Sequence, residues 1–331
     1  MKFLEFSRLF MWGFEGYELE KDFSALLKSA PPAGVILFKR NIASLDQTQK
    51  LNRELKQKVK SLLIAVDQEG GRVARLTSPF PTYPPGVTWG FLFEKGKNKN
   101  MIVEAGFLLG RELKKLGFNL DFAPVLDVNS NPQNPIIGDR AFSSDPKIVA
   151  QAALAFAAGL QKAGVIPCGK HFPGHGDTTQ DSHLTLPTVE RSRSILNRVE
   201  LFPFRIAVQK KIPMLMTAHV VFTALDAEHP ATLSSKILTD LLRKKWKYQG
   251  VIISDDFEMK AIAEKYSYEE ACVLALEAGV DMLLICRGGE TGLAVVERVY
   301  REIQKSPTLQ ARAQESYARI LKLLKLLHPR R

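Results

Sequence analysis

Side chains able to move protons or hold a metal crowd into one stretch, "KHFPGHGDTTQDSHLTLP" (170–187). It holds three of the six histidines, His171, His175 and His183, with Asp177 and Asp181 among them. Residues of these types permit three chemistries. His171, Asp177 and Asp181 could be gathered by a loop around a metal that activates water. A histidine with a neighbouring carboxylate could instead serve as a general acid and base. The stretch could also be a turn whose polar groups only hold the backbone. Spacing weighs against the metal. His171 and His175 are four apart, but Pro173, Gly174 and Gly176 break any helix that would put them on one face. The stretch is not HExxH, and no Cys or His group elsewhere has zinc-like spacing. The expectation is a site with no metal and no cofactor, metal-assisted hydrolysis remaining an alternative. The glycines of "PGHG" are expected to let the backbone turn sharply and approach a ligand closely. His175 fits a turn-stabilising and a functional role equally.

The elements that must position these groups read as an α/β chain. Apolar or β-branched runs recur at 8–13, 34–38, 62–67, 118–124, 164–171, 213–219, 250–256 and 280–286. Between most of them lie helical patterns, at 21–29, 46–60, 100–116, 146–163, 191–210, 234–246 and 268–278. Continuous apolar strands alternating with helices imply a parallel sheet buried on both faces. Eight such units predict a (β/α)8 TIM-type barrel in a single domain over 1–331. No GxGxxG follows the first strand to support a dinucleotide fold. The Pro-rich "SPFPTYPPGVT" (78–88) reads as a long loop after the third strand. A C-terminal helix over about 311–327 would pack on the barrel through Tyr317, Ile320, Leu321, Leu324 and Leu327.

A barrel gathers the C-terminal ends of its strands at one rim, where active sites form. The ionisable residues at those ends are Asp67, Asp121, Lys170, His171, His219, Asp255 and Asp256. They come from several different strands, and buried charges are costly unless paired. An active site explains that convergence better than packing does.

Composition excludes several classes. At 45% hydrophobic over 331 residues, the chain can build a sizeable core. Its net charge of +11 fits solubility or an anionic partner, but no nucleic-acid-binding signature accompanies it. Cys168, Cys272 and Cys286 are odd in number and lie in apolar stretches, so buried thiols in a reducing compartment are expected. The N-terminus reads poorly as a signal peptide, and no apolar run approaches the ~20 residues of a membrane span. A cytoplasmic monomer that engages neither membrane nor nucleic acid is expected.

Four motifs, "KHFPGHGDTTQDSH", "VDQEGGRVARL", "IGDRAF" and "GVIISDDFEMKAI", occur in the order found in one family. From about residue 10 to residue 290 the chain resembles the bacterial β-N-acetylglucosaminidases of glycoside hydrolase family 3, single-domain cytoplasmic branch. The last forty residues carry no such motif, and Phe257 stands where the family most often has an aliphatic residue. The resemblance implies a retaining glycosidase with an aspartate nucleophile and a histidine acid/base. Asp255 takes the nucleophile's place, Asp256 having the weaker claim. His183 takes that of the acid/base and Asp181 that of its partner. Asp67, Arg75, Arg140, Lys170 and His171 take those of the sugar-binding set. The implied substrate is a small glycoside, a GlcNAc-containing 1,6-anhydro-muropeptide met in peptidoglycan recycling.

That chemistry is coherent. Retaining hydrolysis normally pairs two carboxyl groups about 5–5.5 Å apart, a nucleophile and an acid that becomes a base. A histidine titrating near pH ~6.5 can serve both directions close to neutrality, with an aspartate orienting its ring. Asp67 can accept from sugar hydroxyls, while Arg75, Arg140 and Lys170 can donate. A glycoside phosphorylase on the same scaffold remains open, since a histidine would not repel an incoming phosphate.

Overall fold

The apolar runs fold as eight short parallel strands in a computed structural model that describes residues 1–96, 98–179, 186–288 and 292–328. They are β1 (Phe10–Trp12), β2 (Gly34–Leu37), β3 (Leu63–Val66), β4 (Leu120–Asp121), β5 (Ile166–Phe172), β6 (Met214–Thr217), β7 (Val251–Ile253) and β8 (Leu283–Ile285). Neighbours run β7-β6-β5-β4-β3-β2-β1-β8, and a parallel bridge from Ile253 to Met282 joins the two outer strands. The result is the expected (β/α)8 barrel. Every residue of these strands is buried, because each strand has the barrel interior on one face and helices on the other.

Local signals set the helix ends. Ser44 caps Leu45–Lys58 by accepting from Gln47 N, and Asp145 caps Pro146–Lys162 by accepting from Lys147 N. Ser267 and Glu270 form a capping box on Tyr268–Ala278, which ends at Gly279 with φ 128°.

Three segments differ from the sequence reading. The region after β3 is not all loop, since Gly86–Gly96 is a helix. Gly90 seats it against the 141–142 backbone, where a Cβ would lie 1.5 Å from the Phe142 carbonyl oxygen. The single helix expected over 191–210 is two, Arg193–Arg198 and Leu201–Gln209. At the break, the buried Glu200 carboxylate accepts from Arg191 (3.1 Å) and Ser130 (3.0 Å), two partners outside the helices. The last helix, Pro307–Leu324, buries Leu309, Ala313, Ser316, Ile320, Leu323 and Leu324. Leu321, expected on that face, is 40% exposed. Tertiary contacts rotated the stripe because Arg312, Ser316 and Arg319 on this helix all reach the buried Asp281.

Candidate active site

The strand ends surround a cavity of about 390 Å³ lined by Asp67, Arg75, Arg140, Lys170, His171 and Asp255, among others. Register explains the meeting. Val66 lies opposite Asp121, Phe172 opposite Thr217 and Met216 opposite Ile253, so residues just past these positions share one rim.

Lys170 is at the centre. Its ammonium, 2% exposed as a residue, sits 2.7 Å from Asp67 Oδ1 and 2.6 Å from Glu69 Oε1. Arg75 donates to the other oxygen of Asp67 at 3.1 Å. Arg140 holds Glu69 through a two-point fork, Nε to Oε2 at 2.9 Å and Nη2 to Oε1 at 2.8 Å. Burial opposes every charge here, and the opposite charges prevail. Despite burial, Lys170 and Arg75 hold Asp67 well below the carboxylate range, and Arg140 and Lys170 hold Glu69 down to about 2. By the same balance, Glu69 raises Arg140, and Asp67 and Glu69 raise Lys170. The wall thus presents fixed donors and acceptors suited to hydroxyl-rich ligands.

His171 continues the wall. Its Nδ1 lies 2.7 Å from Asp127 Oδ2, its backbone N–H donates to Asp127 Oδ1 at 3.1 Å, and its Nε2 lies 3.5 Å from Arg140 Nη2. His175 is explained by the same carboxylate. Its backbone N–H donates to Asp127 Oδ1 at 2.7 Å, and its Nδ1 lies 2.8 Å from Thr178 Oγ1. Burial, then repulsion from His171, lowers its pKa to about 4, so it is uncharged near neutrality. The "PGHG" glycines serve the turn. Gly174 sits at φ 131°, and a Cβ on Gly176 would lie 1.6 Å from the Val128 carbonyl oxygen.

Opposite this wall, Asp255 follows β7. Its Oδ1 accepts the Asp256 N–H at 2.9 Å, and among the described residues no cationic side chain forms an ion pair with it. Asp256 is used differently. Its Oδ1 accepts the backbone N–H of Glu258 and of Cys286, each at 3.1 Å, and burial with Glu258 nearby pushes its pKa to about 7.

The structure therefore brings together Asp67, Arg75, Arg140, Lys170, His171 and Asp255. Asp181 and His183 lie outside the described residues. Asp121, a strand-end candidate, does not line the cavity. It is fully buried and accepts from Gln68 N at 3.0 Å, and burial pushes its pKa well above the carboxylate range. Asp177, considered for a metal, pairs with Arg191. Among the described residues, Asp226, Glu228 and His229 could approach a cation, but they do not line the cavity. Sequence reasoning missed Glu69 and Asp127. Glu69 is two residues past Asp67 in "DQEGG", a spacing that in extended chain returns a side chain to the same face. Asp127 follows the apolar "APVL" as a lone carboxylate and gives no comparable signal.

Among the described residues, no helix is long and apolar enough to cross a membrane. Residues 5–323 match the glycosyl hydrolase family 3 N-terminal domain. A β-hexosaminidase of Methylococcus capsulatus is 39% identical over 288 residues, covering 87% of this chain and 85% of that protein. Among solved structures, a glycoside hydrolase family 3 β-N-acetylglucosaminidase from Paenibacillus sp. str. FPU-7 superposes with a TM-score of 0.93 at 38% identity. That match covers 99% of this chain but only 62% of the longer Paenibacillus chain. NagZ from Neisseria gonorrhoeae, solved with N-trifluoroacetyl-D-glucosamine, gives a TM-score of 0.79 at 31% identity, with 96% and 98% of the two chains covered. Barrel, rim and these likenesses agree with the motif resemblance: the chain belongs to glycoside hydrolase family 3.

Proposed function

We propose that this glycoside hydrolase removes terminal, non-reducing β-linked N-acetylglucosamine with retention, through a covalent glycosyl-enzyme on Asp255. One observation carries the reading. Asp255 faces, across a cavity of sugar size, a wall whose charged groups are already paired with one another. A carboxylate that pairs with no cationic side chain among the described residues, set against a pre-ordered polar wall, is suited to attack an anomeric carbon held by that wall. Asp256, with its raised pKa and its Oδ1 committed to two backbone donors, is the poorer nucleophile. Asp67, Arg75, Arg140, Lys170 and His171 would grip the hydroxyls and the acetamido group.

The proton is assigned to His183, with Asp181 orienting it, on their places in "KHFPGHGDTTQDSH". As the glycosidic bond breaks, His183 would give its proton to the leaving oxygen. It would then take one from the water that releases the sugar. The names of the relatives support an N-acetylhexosamine substrate. The natural substrate is proposed to be a 1,6-anhydro-muropeptide, met during peptidoglycan recycling by a monomeric enzyme in the cytoplasm.

Asp255→Ala should abolish turnover of an aryl β-N-acetylglucosaminide, and normal activity in that variant would reject the assignment. Assaying aryl β-glycosides with and without the 2-acetamido group tests the sugar. Release of sugar 1-phosphate when phosphate is added would replace hydrolysis with phosphorolysis.

A further inference from the structure

We infer that His219 is a positioning residue for the nucleophile, acting through the backbone of Asp256; this rests on the reading of Asp255 as nucleophile. His219 stands two residues past β6 and is fully buried. Its Nε2 lies 3.0 Å from the carbonyl oxygen of Asp256. A carbonyl only accepts, so Nε2 carries the hydrogen and donates it. The other ring nitrogen, Nδ1, is 2.9 Å from Thr232 Oγ1. That hydroxyl is fixed in turn, 3.1 Å from the Ala218 carbonyl and 2.8 Å from Thr217 Oγ1. Phe257 covers the ring, with centroids 6.0 Å apart and planes 26° from parallel.

The residue whose carbonyl is held in this way also sets the nucleophile, through the N–H of its preceding peptide. The Asp256 N–H donates to Asp255 Oδ1 at 2.9 Å, which orients that carboxylate. From the other side, Asp256 Oδ1 accepts the N–H of Cys286, the residue after β8. The turn after β7 is thus suspended between both neighbouring strands of the barrel, by a ring from the β6 side and a backbone amide from the β8 side. Two tethers on one residue fix its rotation, and with it the direction in which Asp255 Oδ2 points. Attack on an anomeric carbon depends steeply on that direction, since a displacement of about 1 Å costs about 100-fold in rate.

The test is steady-state hydrolysis of an aryl β-N-acetylglucosaminide by His219→Ala and His219→Gln, with rates corrected for folded protein. The glutamine amide can place a donor near the position of Nε2. His219→Ala should lose about 10- to 100-fold in kcat with KM within about twofold, and His219→Gln should recover most of that loss. An unchanged kcat in His219→Ala overturns the proposal. So does a loss confined to KM, or a glutamine variant as slow as the alanine one. If His219→Ala does not fold, Thr232→Val is read instead, because it withdraws the hydroxyl that holds Nδ1. A fall in kcat at constant KM then upholds the proposal, and an unchanged kcat overturns it. Asp255→Ala run in parallel separates the two claims. Turnover by that variant would reject the nucleophile itself, whereas its inactivity beside a fully active His219→Ala would reject only the positioning role.

Discussion

Two adjacent carboxyl groups, Asp255 and Asp256, differ because of what surrounds them. Both are half-buried and line the cavity, but Asp255 keeps one oxygen on a backbone N–H, while loss of solvent and the nearby Glu258 raise the pKa of Asp256 from 3.8 to about 7. A raised carboxyl pKa has a definite sign in stability. Between pH 3.8 and about 7 the unfolded chain releases this proton before the folded one does, so stability contributed by Asp256 declines as pH rises through that window. Asp256→Asn should keep the acceptor for Glu258 and Cys286 but lose the proton. Urea midpoints for that variant should fall less steeply with pH across the window and exceed those of the parent above it. A parallel pH dependence in both proteins would refute the burial argument. Asp67, Lys170, His171, Asp255 and Asp256 were legible in the sequence because strand ends are legible, whereas Arg75 and Arg140 were named through the motif resemblance. Asp127 was not legible, since one carboxylate after an apolar run shows nothing of the His171 ring and the two amides that converge on it.

At the scale of elements, the turn that follows β5 carries the clearest steric commitment. Gly176 lies so close to the Val128 carbonyl that a methyl group there has no room. Gly176→Ala should cost about 3 kcal/mol in chemical denaturation. Gly96→Ala is the control. Nothing lies within 4 Å of a Cβ at that helical position, so stability should rise by less than about 1 kcal/mol. Equal losses would show that the close approach is not what Gly176 supplies. Strand periodicity was readable here because every barrel strand is buried on both faces. The helix Gly86–Gly96 was not readable, because its three glycines and the prolines before it give a turn signal. It forms through tertiary seating on Arg140, Ala141 and Phe142.

For the whole molecule, closure of the barrel and docking of the last helix share one buried carboxylate. Asp281 pairs with Arg243, with Arg312 at 2.9 Å and with Arg319 at 3.1 Å, and it accepts the N–H of Ile252 in β7 at 2.9 Å. Burial resists its charge, but the three arginines hold its pKa below the usual value, so its contribution is present above that value and lost at acid pH. Asp281→Asn strands buried positive charge and should destabilise the protein by about 3–5 kcal/mol. Because Asp281 does not line the cavity, kcat per folded molecule should not change; a loss of kcat without loss of stability would place Asp281 in the site instead. The sequence by itself determined the barrel, the number and order of its strands, and which strand ends carry ionisable groups. Those properties follow from local periodicity and from motifs a few residues long. Only the tertiary structure decided the pairings: that Glu69 completes the cage around Lys170, that Asp127 holds both His171 and His175, and that Asp256 is a tether. Each joins residues dozens of positions apart or depends on burial, and the energy of a charge is set by what closes around it rather than by its neighbours in the chain.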